Sequence, residues 1–309
     1  MASMERGILQ AIGNTPLVVL RRLPLAGTAR VVVKLESANP TGSMKDRVAR
    51  AMIEAAIAAR RLAPGDTVVE YTAGTTGISL ALICAALGLK AHFVFSDVFS
   101  EEKRHTMRAY GASITNVPSE GGITEKLIKA MIATAAELSR LPRHWYCDQL
   151  TNRDGEAGYH SLGAELWEQS GGAVDAFVQS VGTAHSLHGS THVLRRHNPR
   201  LKVIAVEPAE SPVLSGGASG THNIEGVGIG FVPPLWRAAE VDEILTVPTT
   251  EAKAMARRLA REEAIFAGTS TGANISAALR VAARLPPSAT VATIAVDSGL
   301  RYLSTDLYR

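Results

Sequence analysis

The chain has 309 residues, is 46% hydrophobic and 20% charged, and carries 32 basic and 29 acidic residues for a net charge of +3. This mixture excludes a disordered or fibrous protein, and the length fits one large domain or two medium ones around a shared cleft. Lys and Arg form no long run: Arg195-Arg196 and Arg257-Arg258 are short pairs on helical segments, which argues against nucleic-acid binding.

Residues 29–35 (ARVVVKL) predict a strand, and 48–60 a helix with Val48, Met52, Ile53, Ala56 and Ile57 on one face. The alternation continues with strand 67–71, helix 77–87, strand 91–95, helix 101–110, strand 113–117 and helix 123–140. It resumes with strand 176–180, helix 190–196, strand 203–206, helices 251–263 and 272–283, and strand 290–296. Alternating strands and helices predict an α/β fold with parallel sheets covered on both faces. We expect two lobes on a cleft, with the chain crossing between them near Lys45 and again near 149–154. Residues 78–89 fall short of the ~18 apolar residues of a membrane span, and 1–10 lack an apolar signal core, so a soluble, cytoplasmic protein is expected. Cys84 and Cys147 stand far apart in no metal-ligand spacing. Cys84 reads as a core thiol; Cys147 follows a strand and could be core or have a direct role.

Ligands of such sheets bind at the carboxyl ends of strands, where loops lead into helix N-termini. Three segments rich in Gly, Ser and Thr occupy such places: 72–77, 182–189 and 268–272. In Ser43-Met44-Lys45-Asp46-Arg47, Ser43 is a candidate N-cap. Lys45 then sits in the first helical turn beside Arg47, where both the helix dipole and the neighbouring cation disfavour its ammonium form. That suits a neutral nucleophile, although a surface lysine at a helix start fits the same local pattern. Thr72-Ala73-Gly74-Thr75-Thr76-Gly77 can hold an anion, either a carboxylate or a phosphate. Gly182-Thr183-Ala184-His185-Ser186 has the look of a phosphate cradle, but it is neither a P-loop nor GxGxxG, so ATP and NAD fit poorly.

Taken together, the chain resembles the cysteine synthase / cystathionine β-synthase family of pyridoxal-phosphate (PLP) enzymes, the fold type II, tryptophan-synthase-β-like group. The resemblance runs from Ile12-Gly13-Asn14-Thr15-Pro16-Leu17 to Ser298-Gly299-Leu300-Arg301-Tyr302-Leu303-Ser304-Thr305. Between them lie the Lys45 segment, Val206-Glu207-Pro208, Ile224-Glu225-Gly226-Val227-Gly228-Ile229-Gly230-Phe231 and Gly268-Thr269-Ser270-Thr271-Gly272. The resemblance implies PLP in the cleft between two lobes: a smaller one at 42–150, and a larger one at 1–41 plus 151–309. It implies Lys45 as the Schiff-base lysine and later the α-proton base. The phosphate falls to Gly182, Thr183, Ala184, His185 and Ser186, the pyridine nitrogen to Ser270, and the ring oxygen to Thr75. The substrate carboxylate falls to Thr72, Ala73, Gly74, Thr76 and Gln149. A neutral serine opposite the pyridine nitrogen suits β-elimination over transamination.

The implied reaction is β-replacement on an O-activated serine through an α-aminoacrylate, with a small amino acid and a small nucleophile as partners and a homodimer as assembly. Net β-elimination, or a non-catalytic role as partner or sensor, are the alternatives. Two departures point to a specialised leaving group or nucleophile. The substrate loop of the family reads Thr-Ser-Gly-Asn-Thr-Gly, and here Ala73 and Thr75 replace Ser and Asn. The phosphate loop reads Gly-Thr-Gly-Gly-Thr, and here Ala184 and His185 replace glycines. His185 could contact the phosphate, titrate near neutral pH, or point away. Specificity candidates are Ala73, Phe99, 226–229 and 234–236.

Overall fold

Continuous apolar strands without alternation need cover on both faces, and helices supply it here. The computed structural model describes residues 7–120 and 122–309. Part of the segment 1–10, read above as lacking a signal core, lies outside them. In chain order the elements are β1 (Leu17–Val19), β2 (Arg30–Leu35), α1 (Lys45–Ala58), β3 (Thr67–Tyr71), α2 (Thr75–Leu87), β4 (Lys90–Ser96), α3 (Glu101–Ala109), β5 (Ser113–Val117), α4 (Glu125–Leu138) and β6 (His144–Tyr146). There follow α5 (Asp154–Ala157), α6 (His160–Gln169), β7 (Ala176–Ser180), α7 (His185–His197), β8 (Lys202–Pro208), β9 (Glu243–Val247), α8 (Thr249–Glu263), α9 (Thr269–Ala282) and β10 (Thr290–Ala295).

The strands form two sheets. One is six-stranded in the order β1-β2-β10-β7-β8-β9, the other four-stranded in the order β5-β4-β3-β6. Every pairing is parallel except β1 against β2. Strands β7 and β10 are buried at every residue, as expected for sheet centres. The chain leaves the larger sheet at Leu35, builds the smaller one from Thr67 to Tyr146, and returns through α5. Met52 and Ile53 of α1, Leu80 and Ile83 of α2, and Phe93 and Phe95 of β4 fill one continuous core. No helix among the described residues is long and apolar enough to cross a membrane.

The start of α1 is tied down on three sides. The Met44 amide donates to the Val296 carbonyl at 2.9 Å, just past β10. Ser43 is not the N-cap residue; Met44 holds that position, and the Ser43 hydroxyl accepts the Lys45 amide at 3.1 Å. Asp46 accepts from the Thr41 amide at 2.8 Å, the Thr41 hydroxyl at 2.5 Å and the Ser79 hydroxyl of α2 at 2.6 Å. Arg47 is buried, with Nε 2.7 Å from Glu36 Oε2 and Nη1 2.8 Å from Glu165 Oε1 on α6. Lys34 of β2 completes the cluster, 2.8 Å from Glu165 Oε2.

Removing one partner of such a cluster leaves an uncompensated buried charge. Arg47→Met is expected to cost about 3–5 kcal/mol of unfolding free energy in a denaturant titration. Burial pushes the Glu165 carboxyl up, but hydrogen bonds and charge from Arg47 and Lys34 outweigh it and hold it at about 2. A depressed pKa contributes stability above the unfolded-state value and loses it as pH falls toward the folded value. Acid titration of the wild type should therefore show a loss below about pH 4.3 that is blunted in Arg47→Met.

Candidate active site

The N-termini of α1, α2, α7 and α9 converge between the two sheets, and the cleft there has two connected parts. An outer cleft of about 680 Å³ is lined by Lys45, Thr72, Ala73, Thr75, Thr76, Gln149, Gly182 and Thr183 among others. An inner recess of about 400 Å³ is lined by Lys45, Thr75, Gly182, Thr183, Ser186, Ser270 and Asp297 among others. Lys45, Thr75, Gly182 and Thr183 are shared by both parts.

Lys45 is 9% exposed, and among the described residues no acceptor takes a hydrogen bond from its Nζ. Burial lowers its pKa to about 8, against the opposing charge of Asp297. The helix dipole and Arg47 were expected to do this, but the Arg47 guanidinium is spent on Glu36 and Glu165. Desolvation is the cause that the structure supplies.

The loop after β3 is organised around Thr72. Its Oγ1 accepts from the amides of Gly74 at 2.9 Å and Gly77 at 3.0 Å. With both lone pairs engaged, the hydroxyl proton is left to donate into the cleft that Thr72 lines. The Thr76 hydroxyl donates to Gln149 Oε1 at 2.9 Å, and Gln149 Nε2 donates to the Tyr71 carbonyl at 2.9 Å. That leaves one Gln149 N–H uncommitted. Buried Glu70 holds Gln149 from behind through its backbone amide at 2.9 Å. Among the described residues the Thr75 and Thr76 amides have no acceptor, so the helix start offers an anion two further donors. Gly74 lies outside the cleft wall: its amide is used by Thr72, and a Cβ there would sit 2.5 Å from Lys103 Cδ at a φ of +114°.

The second loop follows β7. No acceptor among the described residues takes the amides of 182–186, which precede or open α7. A Cβ at Gly182 would meet the Gly226 carbonyl oxygen at 2.4 Å, so only glycine lets these two loops close on each other. Ala184 has φ 73° and ψ −12°, a left-handed conformation that strains a non-glycine residue, and it is buried. His185 is 2% exposed, with Nδ1 2.8 Å from Thr183 Oγ1 and Nε2 2.8 Å from the Asn152 carbonyl oxygen. Burial holds its pKa down to about 4, with the Lys45 charge acting the same way against the Asn152 bond. Neither Ala184 nor His185 lines the cleft or recess, unlike Thr183 and Ser186.

Several cleft residues were beyond reach of the sequence. Lys103 of α3 is 1% exposed and lines the outer cleft. Its Nζ is 2.5 Å from Glu225 Oε2 and 4.6 Å from the Tyr302 ring centre. Charges surround it along α3, and nothing in that pattern marks it as buried. Asp297 and Glu225 line the recess and were not singled out for the site. Of the specificity candidates, Ala73, Phe99, Gly226, Val227 and Ile229 line the outer cleft, whereas Gly228 and 234–236 do not. Cys147 is buried and away from the cleft, its Sγ 3.7 Å from Met52 Sδ, and burial raises its thiol pKa well above the ordinary value.

A phosphate-bearing, aldehyde-bearing cofactor fits this set. The recess carries free loop amides at a helix N-terminus, an orphaned buried hydroxyl on Ser180, and an unpaired lysine amine. The chain matches the family described as pyridoxal-phosphate dependent enzyme over residues 8–297. It is 43% identical to a cysteine synthase of Staphylococcus aureus across 97% of this chain and 96% of that one. Among solved structures, cysteine synthase from Entamoeba histolytica superposes with TM-score 0.91 at 36% identity, covering 100% of this chain and 93% of that one. O-ureido-L-serine synthase gives TM-score 0.93 at 35% identity, over 99% and 96% of the two chains. An O-acetylserine-dependent cystathionine β-synthase from Helicobacter pylori gives 0.92 at 34% identity, over 100% of both. Matched along nearly its whole length in sequence and in fold, the chain belongs to the cysteine synthase family of pyridoxal-phosphate-dependent enzymes.

Proposed function

We propose that this enzyme performs β-replacement on an O-acylserine, of which O-acetylserine is the simplest, with Lys45 as the cofactor-bearing lysine and the α-proton base. The observation that carries this reading is Lys45 itself. It is a buried, unpaired amine whose pKa is lowered to about 8, standing between two anion-binding loops. When bound, PLP supplies the electron sink that withdraws charge from the substrate α-carbon. The amides of 182–186 with Thr183 and Ser186 hold its phosphate, Ser270 takes the pyridine nitrogen, and Thr75 takes the ring oxygen.

The substrate carboxylate receives the Thr72 hydroxyl proton, the free Gln149 N–H and the amides at the start of α2. Thr76 acts through Gln149, because its proton is already donated there. These donors fix the α-carbon within reach of Lys45 Nζ, which takes the α-proton as neutral amine and returns it after the nucleophile has added. Phe99, Ile123, Ile128 and Ile229 make the remaining wall apolar and exclude water. The leaving group follows from charge. Among the described residues the cations on the outer wall are Lys45, which is committed to the cofactor, and Lys103, which is already paired with Glu225. A phosphate dianion would find no free cation there, whereas a neutral ester needs none. The nucleophile is a small one of the sulfide type. The reading also divides the chain into a lobe at 42–150 and a lobe at 1–41 plus 151–309, and takes a cytoplasmic homodimer as the working assembly.

The leaving group is tested by steady-state turnover with sulfide. O-acetylserine should react, and O-phosphoserine should show at most a small fraction of its kcat/KM; the reverse order would overturn the charge argument. Lys45→Ala should lack the visible absorption of covalently held cofactor and all turnover. Thr72→Val removes one hydrogen bond to a charged group, worth roughly 1.5–3 kcal/mol, and should lower kcat/KM about 10- to 100-fold with cofactor content unchanged. Covalent attachment needs the neutral amine, so the rate of PLP loading into apoprotein should rise with pH and level off above about 8.

A further inference from the structure

His185 stands where its side chain can do something the loop amides cannot. Its ring is buried at the first residue of α7, with Nε2 2.8 Å from the Asn152 carbonyl oxygen and Nδ1 2.8 Å from Thr183 Oγ1. A carbonyl oxygen only accepts, so Nε2 carries a proton. In the neutral ring that is the sole proton, and Nδ1 is a bare lone pair. Thr183 must then donate its single hydroxyl proton to Nδ1. Thr183 also lines the recess where the phosphate belongs, and a phosphate dianion accepts as well. One hydroxyl proton cannot serve both acceptors.

We propose that His185 is a positioning residue that sets the direction of the Thr183 hydroxyl, and that binding of the cofactor phosphate draws one proton from solvent onto its imidazole. With both ring nitrogens protonated, Nδ1–H donates to Thr183 Oγ1, Nε2–H still donates to Asn152, and the Thr183 O–H turns to the phosphate. No other bond forms or breaks. The charged and titratable groups facing the ring come from three elements: Lys45 of α1, Glu156 of α5 and His188 of α7. Glu156 is itself paired with Arg237 at 2.8 Å. Burial and Lys45 keep the ring neutral in the free chain, and Glu156 opposes them only in part. An anion placed on Thr183 adds the charge that reverses the balance. The ring is also closely packed: it is 2% exposed, and Gly155 approaches so near that an added Cβ there would lie 3.0 Å from Nε2.

The inference rests on reading 182–186 as the phosphate cradle, and one experiment separates the two. PLP is titrated calorimetrically into the full-length apoprotein at about pH 6.5, in buffers of different ionisation enthalpy, to count protons taken up on binding. Wild type should take up about one proton more than His185→Gln, because contributions from Lys45 and from the phosphate itself cancel in the difference. Above neutrality its PLP affinity should fall by up to about tenfold more per pH unit than that of the variant. Equal proton counts would overturn the proposal. His185→Asn, which keeps an acceptor near the Nδ1 position, replaces His185→Gln if the latter does not fold. Thr183→Val should weaken PLP binding and abolish the proton difference. If it weakens binding while wild type and His185→Gln still take up equal protons, the cradle stands and the relay fails; if it leaves binding unchanged, both fail.

Discussion

Arg47 is buried and clamped between two carboxylates, and the direction of the neighbouring Lys45 depends on that clamp. Its guanidinium meets Glu36 at the end of β2 and Glu165 on α6, with four hydrogen bonds of 2.7–2.9 Å. Residues two apart on a helix do not share a face. Once Arg47 is held against β2 and α6, Lys45 is turned away from them and toward the cleft. Asp46, between them, is fixed to Thr41 and to Ser79 of α2. Three consecutive side chains thus point three ways, each held by a different part of the fold.

The cost of this arrangement is desolvation, and the structure meets it unevenly. Arg47 and Glu36 are almost wholly buried, yet each finds ionic partners of good geometry. Asp46 is answered by hydroxyls and an amide, so burial still pushes its carboxyl up against those bonds. Among the described residues Lys45 Nζ is given no hydrogen-bond or ion-pair partner. That is the asymmetry a Schiff-base lysine needs: its neighbours are paired to stay charged, and it is left unpaired to become neutral. The same burial that makes the clamp rigid therefore tunes the amine.

The fold was legible in the sequence where strands are buried on both faces. Strands 67–71 and 176–180 have the bounds read from their apolar runs, and strand 113–117 also has the bounds read for it, although none of its residues is buried. Several helices were read short at their starts, whereas the helix read over 123–140 is Glu125–Leu138. Those expected to start at 77, 190 and 272 start at Thr75, His185 and Thr269. The missing turns are made of Thr, Ser, Gly and His, which read as loop because they have no apolar stripe, and these are the turns that face the cleft. Strands β1 and β9 and helices α5 and α6 escaped because β1 is three residues long, β9 is half-exposed, and the helices lie in a polar stretch. For the site, motifs placed Lys45, Thr72, Thr183 and Ser270 on the cleft wall, whereas Lys103 and Glu225 meet across 122 residues through a contact no local pattern encodes.

The two loop positions that depart from glycine are best understood together. Ala184 takes a left-handed backbone at a real cost, and a strained residue persists only where its surroundings over-determine it. His185 supplies that determination, bonded on one side to Thr183 in its own loop and on the other to Asn152, where the chain returns from the smaller sheet. A glycine pair would leave the loop free to sample other conformations and to lose that freedom on binding the phosphate. Here those two bonds hold the unpaired amides of 182–186 together at the start of α7. The loop has exchanged adaptability for preorganisation, and the hydroxyl proton of Thr183 is the one element of the cradle left to be set by binding.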